Sequence, residues 1–179
     1  AWIGRDSQGY GTINIINADG SGYRQISPTT YAYAADLSWS PDGTRLAFDG
    51  DLNGDLWTDL VIINVNGGAP QIVEAGALPV DNWAASWLPG RNALLYDRVV
   101  YTVYNNQLYI SSITLMRCFL PDGPREVLRS SNYDLYHRTQ STDNTIPFSQ
   151  VNPLPPYSRA KDTFVTWQGG DAGPAPLSR

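Results

Sequence analysis

Four oxygen-bearing residues at alternating places, Asp51, Asn53, Asp55 and Asp59, fall in the stretch GDLNGDLWTDL, residues 50–60. Calcium takes roughly six to eight oxygen ligands, and a loop presenting such residues at its first, third, fifth and ninth places can surround it. Trp57, at the seventh place, offers a backbone carbonyl. The same residues also make a polar hairpin turn, because Asp and Asn bond their own backbone and Gly accepts positive φ. Both readings stand. Asp36, Asp42, Asp81 and Asp97 fall at strand ends or turns. Two facing carboxylates can hydrolyse a glycoside, and Asx capping of turns uses the same residue type.

Other chemistries are poorly supplied. Nucleophilic hydrolysis needs a nucleophile, a base and an orienting acid. No G-x-S-x-G elbow is present, and the GSG at 20–22 reads as part of a hairpin turn. His137 is the only histidine and Cys118 the only cysteine, whereas a transition-metal site normally draws on several such ligands. Cys118 lies between Met116 and Phe119, which suits a buried small hydrophobe, and a single cysteine forms no internal disulfide. The net charge is −5, and eleven of the twelve basic residues are scattered arginines. That balance argues against nucleic acid, which demands clustered cations. No apolar run is long enough for a membrane helix.

The elements that must position these residues are short and repeated. The chain has 179 residues, 16 of them Gly and 13 Pro, with charged residues at only 16%. That is an all-β composition with many tight turns. TINIINADGSG followed by YRQIS matches DLVIINVNGG followed by APQIV, with Asn17 and Asn64 in the same place, 47 residues apart. LSWSPDGTRLAFDG matches ASWLPGRNALLYDR, with Trp39 and Trp87 separated by 48. A period in the high forties built of short strands means a propeller blade or a similar array. LSWS and TRLAF alternate apolar and polar residues, as half-buried strands do. The turn SPDG has Pro41 to set φ and Gly43 to accept a positive value. One repeat therefore reads as four antiparallel strands, from DLSWS inside through TRLAFD and TDLVIINV to PQIVEAG outside.

These phrases resemble the WD-like propeller repeats of the TolB type. The match is close over 1–30 and 37–76. It is degraded over 83–128, where SWLPGRN lacks the turn Asp, and weak over 145–167. The expected fold is an all-β propeller of four-stranded antiparallel blades, with about three to four blade equivalents in an incomplete ring. Repeats fall at about 1–30, 31–80, 81–130 and 145–167, within a partial propeller over 1–167. A surface excursion is expected over about 130–156 and a Gly/Pro-rich tail over 168–179. AWIGR aligns with the second strand of a blade and FVTWQ reads as another second strand. Together with an opening that has neither Met nor signal-peptide shape, this suggests a processed piece, or blades completed by the same or another chain. The aspartate stretch also resembles calcium loops of integrin-type propellers, with Leu56 where that pattern has Gly.

The recurrence of Trp39 and Trp87 predicts core packing between blades. Tyr31, Tyr33, Tyr104, Tyr133, Tyr136 and His137 are the candidates for a contact surface, since Tyr is enriched at interfaces; Tyr101 and Tyr109 lie in the same tyrosine-rich stretch as Tyr104. The resemblance implies a non-catalytic scaffold or protein-binding module in a periplasmic, cell-surface or secreted setting, with a protein partner or further blades. One alternative is the accessory propeller of a serine-peptidase-type hydrolase whose catalytic domain lies outside this chain. Another is a calcium-stabilised structural repeat in a surface or fibrous assembly, held by Asp51, Asn53, Asp55 and Asp59.

Overall fold

The computed structural model describes residues 1–28, 30–31 and 33–131, together with the backbone of three later strands. The first sheet holds β1 (Trp2–Arg5), β2 (Gly11–Ile15) and β3 (Arg24–Gln25). The second holds β4 (Ala34–Trp39), β5 (Arg45–Gly50), β6 (Asp59–Asn64) and β7 (Gln71–Glu74). The third holds β8 (Val80–Trp87), β9 (Ala93–Tyr104), β10 (Gln107–Phe119) and β11 (Arg125–Ser131). The last holds β12 (Leu135–His137), β13 (Thr145–Gln150) and β14 (Thr163–Gln168). Every ladder is antiparallel and every sheet follows chain order. These are blades, and they do not close into a ring. Among the described residues no helix is long and apolar enough to cross a membrane.

The period-2 alternation of β5 and β6 decides how the blades stack. Leu46, Phe48, Val61 and Ile63 point to one side and meet Ile13, Ile15, Ile26 and Tyr31 of the first blade. Ala47, Leu60 and Ile62 point to the other and meet Ala85, Trp87, Leu94, Tyr96 and Met116 of the third. Each fully buried large side chain contributes about 1.5–3 kcal/mol. Phe48, at 0% exposure, is the kind of residue whose truncation to Ala costs about 3–5 kcal/mol. Cys118 is buried in the second of these clusters.

The inner-strand turns join equivalent strands by two different turn geometries. In the second blade the Gly43 N–H bonds the Ser40 carbonyl at 2.9 Å, with Gly43 at φ 69°. Asp42 accepts from the Ser40 hydroxyl at 2.6 Å and the Thr44 N–H at 3.0 Å. In the third blade the Arg91 N–H bonds the Leu88 carbonyl at 3.3 Å, and Gly90 takes the positive φ of 67°. Moving the glycine one place forward gives the Pro-Gly signature of a type II turn, which needs no Asp. Both inner strands carry a bulge, with Asp36 at φ 52° and Ala84 at φ 58° in equivalent places.

Two expectations need correction. Trp87 is core, at 5% exposure with the Arg45 guanidinium 4.6 Å above its ring, but Trp39 is 44% exposed. Secondly, β12 and β13 lie inside the stretch 130–156 expected as an excursion, and Thr163–Gln168 is the third strand of its sheet rather than the second. Short strands beside prolines and polar runs leave little periodicity to read.

Candidate functional site

The β1–β2, β5–β6 and β9–β10 connections emerge at one end of the blades, and they are three different structures on one frame. In the first blade Asp6 accepts from the Gln8 and Tyr10 amides at 2.9 Å, closing a short turn. The second blade carries the aspartate loop. The third replaces that loop with a long hairpin.

In the aspartate loop each carboxylate meets backbone amides. Asp51 accepts from Gly54 at 2.7 Å and from Leu56 at 3.1 Å, one on each oxygen. Asn53 Oδ1 accepts from the Asp55 amide at 3.1 Å, and Asp55 Oδ1 from the Trp57 amide at 2.9 Å. Asp59, at 0% exposure, is tied to Leu52 at 3.1 Å and Gly76 at 2.8 Å. Burial raises its pKa above the ordinary carboxylate value, against the pull of those two amides. Leu56 takes φ 71° where the calcium-loop pattern has Gly. Among the described residues no three of His, Cys, Asp and Glu converge on a point that a metal ion can take. The loop as it stands is a run of Asx turns.

The hairpin is the larger feature. Strands β9 and β10 have 12 and 13 residues, against six each for β5 and β6. Their ladder continues to Tyr104 opposite Gln107. Asn105 and Asn106 close it at φ 48° and 60°, the type I′ turn whose twist matches the strands. Residues 99–113, VVYTVYNNQLYISSI, contain no charged residue, glycine or proline. Toward the tip Val103, Tyr104, Leu108 and Tyr109 are 61%, 66%, 49% and 46% exposed. The Tyr104 and Tyr109 rings meet edge to face at 6.4 Å.

At the foot of this arm lies a cleft of ≈ 360 Å³ lined by Tyr33, Asp51, Leu56, Thr58, Asp81 and Trp83. Buried Asp81 accepts from the Thr58 amide at 2.6 Å and the Tyr101 hydroxyl at 2.9 Å, joining the second blade, the cleft and the arm. Tyr101 lies edge-on to Trp57 at 5.6 Å and Trp83 at 6.2 Å. Close by, Asp49 (1% exposed) clamps the inner strand of the third blade, accepting from the Ala84 amide at 2.5 Å and the Ala85 amide at 2.8 Å. Burial pushes its carboxyl well above the ordinary range; the two amides oppose this, and the neighbouring Asp36 carboxyl, which hydrogen-bonds it, adds to the rise. Burial also raises the Tyr33 phenol, with smaller contributions from Asp49, Asp36 and Asp81. The arrangement presents an aromatic arm beside an acidic, aromatic-walled cleft.

Of the residues expected at a contact surface, Tyr33 (46% exposed) lines the cleft and Tyr104 sits near the arm's tip. Tyr31 is corrected to core: it is 2% exposed and packs on Phe48 at 5.4 Å, because the Tyr31–Gly11 bridge turns it inward between two blades. Tyr133 lies outside the described residues, and Tyr136 and His137 lie on β12, described by its backbone alone. The carboxylates weighed for hydrolysis have structural roles where their bonds are seen, Asp42 in its turn and Asp81 across the blade joint. Sequence reading did not single out Asp49, Trp83, Val103 or Leu108. The uncharged run 99–113 was the available signal for the arm; nothing local marks Asp49, whose role is set by a strand 35 residues away.

No family profile and no curated sequence matches the chain. Solved structures do. A TolB-assigned protein from Agrobacterium tumefaciens superposes with a TM-score of 0.67 at 14% identity, covering 93% of this chain and 56% of that one. The chain has a TolB-like propeller fold. TolB from Acinetobacter baumannii gives a TM-score of 0.67 at 12% identity, covering 100% of this chain and 41% of its own. The chain thus spans about half the length of the TolB structures it matches. A structure from a study of two prolyl endopeptidases aligns at a TM-score of 0.43 and 7% identity, too distant to carry an argument.

Proposed function

We propose that this chain is a non-catalytic propeller scaffold that binds protein through the end carrying the β9–β10 arm, in an extracytoplasmic setting. The observation that carries this reading is the arm itself. Natural sheets protect exposed edges and apolar strands with charge, proline or cover, and residues 99–113 have neither charge nor proline. A long, exposed, aromatic hairpin is retained on a soluble surface where another protein covers it. Tyr104 and Tyr109 supply the anchors, and the cleft below supplies a polar, acidic rim. The TolB-like fold supports the reading through blades that act as a frame for variable loops; the location follows the resemblance of the repeats.

The test is site-specific photo-crosslinking in the native cell. A photoreactive residue at Tyr104 is expected to give one dominant protein adduct. The same residue at exposed Arg91, in the turn at the opposite end, is the control. Equal adduct yields at both places, or none at Tyr104, would reject the arm as the contact.

A further inference from the structure

The cleft at the foot of the arm carries charge of one sign only. Its carboxylates, Asp51 and Asp81, are 6% and 8% exposed. Each of their oxygens takes one neutral donor: the Gly54 and Leu56 amides on Asp51, the Thr58 amide and the Tyr101 hydroxyl on Asp81. An ionised carboxylate accepts about four such bonds, so about half of that capacity is unused. Neither group has an ion pair among the described residues, where the ion pairs are Arg117–Glu126 and Arg125–Glu74 on β7, β10 and β11. Two carboxylates nine-tenths buried without a cation stand at a desolvation cost that a positive ligand offsets. The remaining walls are largely aromatic. Trp83 is braced edge-on by Tyr101 at 6.2 Å, and Tyr33 is half-exposed. Every lining residue is among the described ones.

That combination selects among ligands. A phosphate or carboxylate meets repulsion. A hard divalent ion asks for roughly six to eight oxygens, and among the described residues no three of His, Cys, Asp and Glu converge to hold one. A neutral apolar group leaves both carboxylates desolvated. An organic cation suits the whole lining, because the carboxylates neutralise it and the rings of Tyr33 and Trp83 attract it. Between the two cationic side chains the cleft favours arginine. A guanidinium is flat, weakly hydrated and able to bond a carboxylate through two donors while stacking on an aromatic ring, whereas a lysine ammonium must shed a tighter hydration shell to enter. The volume of ≈ 360 Å³ falls at the low end of ligand pockets, which run from about 300 to about 1,000 Å³, and suits one side chain. Leu56, which lines the cleft yet is 85% exposed, offers apolar surface to the arginine stem.

We propose that this cleft receives the guanidinium of an arginine on a protein partner, with Asp81 and Asp51 as its counter-charges and Tyr33 and Trp83 as its aromatic walls. This rests on the reading of this end as a protein contact and names the chemistry that the partner brings. Asp81 ties the site to the arm: the Tyr101 hydroxyl that it accepts from belongs to β9. A seated arginine therefore lies at the root of the hairpin that carries Tyr104.

The test is a titration of the isotope-labelled chain with N-acetyl-arginine methylamide, read by NMR at the Trp83 indole N–H, which is identified by its loss in Trp83→Phe. A Kd of about 1–10 mM is expected for one side chain without its protein. The citrulline analogue, neutral and of nearly the same shape, is expected to bind at least about tenfold more weakly, and the lysine analogue at least about threefold more weakly. Free L-arginine sets its own carboxylate against those of the cleft and is expected to bind more weakly than the blocked form. Asp81→Asn and Asp51→Asn each lower the affinity at least about tenfold, while Asp122→Asn, at an exposed turn between β10 and β11, leaves it unchanged. Should the first two variants misfold, the citrulline comparison on the wild-type chain still decides. No response at Trp83 up to about 50 mM overturns the proposal. So does an equal response to the citrulline or lysine analogue, an equal loss in Asp122→Asn, or tighter binding of free L-arginine, which would make the cleft a small-molecule site. A wild-type chain that ignores the probe while Tyr104 still crosslinks sinks the cleft and leaves the arm as the contact. Probe binding with no adduct at Tyr104 keeps the guanidinium site and rejects the arm.

Discussion

Replacing Asp49 by Ala tests how the second and third blades are joined. The carboxylate is 1% exposed and takes the Ala84 and Ala85 amides at 2.5 and 2.8 Å. The methyl group leaves two buried N–H groups without an acceptor, each costing about 1–3 kcal/mol. Against that, removing a desolvated charge beside Asp36 returns part of the cost. A net destabilisation of about 2–4 kcal/mol follows. Asp49→Asn keeps one acceptor oxygen, so about 1–2 kcal/mol is expected. The sign of the pH dependence is fixed by the raised carboxyl. A group whose folded value lies above its unfolded one contributes stability fully below the unfolded value, here 3.8, and loses it as pH climbs through the folded value. The gap between wild type and Asp49→Asn should therefore shrink from acid toward neutral pH. Urea unfolding followed by tryptophan fluorescence at several pH values measures both variants. A cost for Asp49→Ala below about 1 kcal/mol, within the range of an ordinary surface change, would refute the clamp, and a gap that widens with pH would refute the sign.

Gly76→Ala is expected to be strongly destabilising, because its added Cβ would stand 2.5 Å from the Thr58 carbonyl oxygen; thermal denaturation should show a loss of about 2 kcal/mol or more. Burial pushes the Cys118 thiol up to about 11, so a thiol reagent at pH 8 should leave the native chain unlabelled and modify it once urea unfolds it. In the aspartate loop, Asp51→Ala frees the Gly54 and Leu56 amides and should cost about 1–2 kcal/mol whether calcium or chelator is present. A loss seen in calcium alone would instead make the loop an ion site.

The repeat was legible because turn chemistry and strand alternation act locally. Asn17 and Asn64, or the two Pro-containing turns, mark the same joint whatever lies around them. The long-range facts were not legible in that way. Tyr31 and Tyr33 are two places apart in one uniform-looking phrase, yet one is core and the other lines the cleft. Of the two, Tyr31 is the one held by the bridge to Gly11. Trp39 and Trp87 occupy the same repeat position and differ in burial, at 44% and 5% exposure. Asp49 stands in an ordinary strand ending, and only the bulge at Ala84 turns two amides toward it. In the aspartate loop, Asx turns and calcium cages draw on the same residues, so the residue types alone leave both readings open.

The two blade joints differ in kind. Between the first and second blades the contact is a band of Ile, Val, Leu and Phe side chains. Between the second and third, that band is joined by directional bonds: Asp49 to Ala84 and Ala85, Asp81 to Thr58, the Trp87 amide to the Ser38 hydroxyl at 2.9 Å, Arg45 to Asn92 at 2.6 Å, and Arg125 to Glu74. Apolar contact tolerates small sliding, whereas bonds to fixed amides hold an angle. The joint between the second and third blades is therefore the more strongly directed of the two, and under mechanical tension the first blade is expected to part from the second before the second parts from the third.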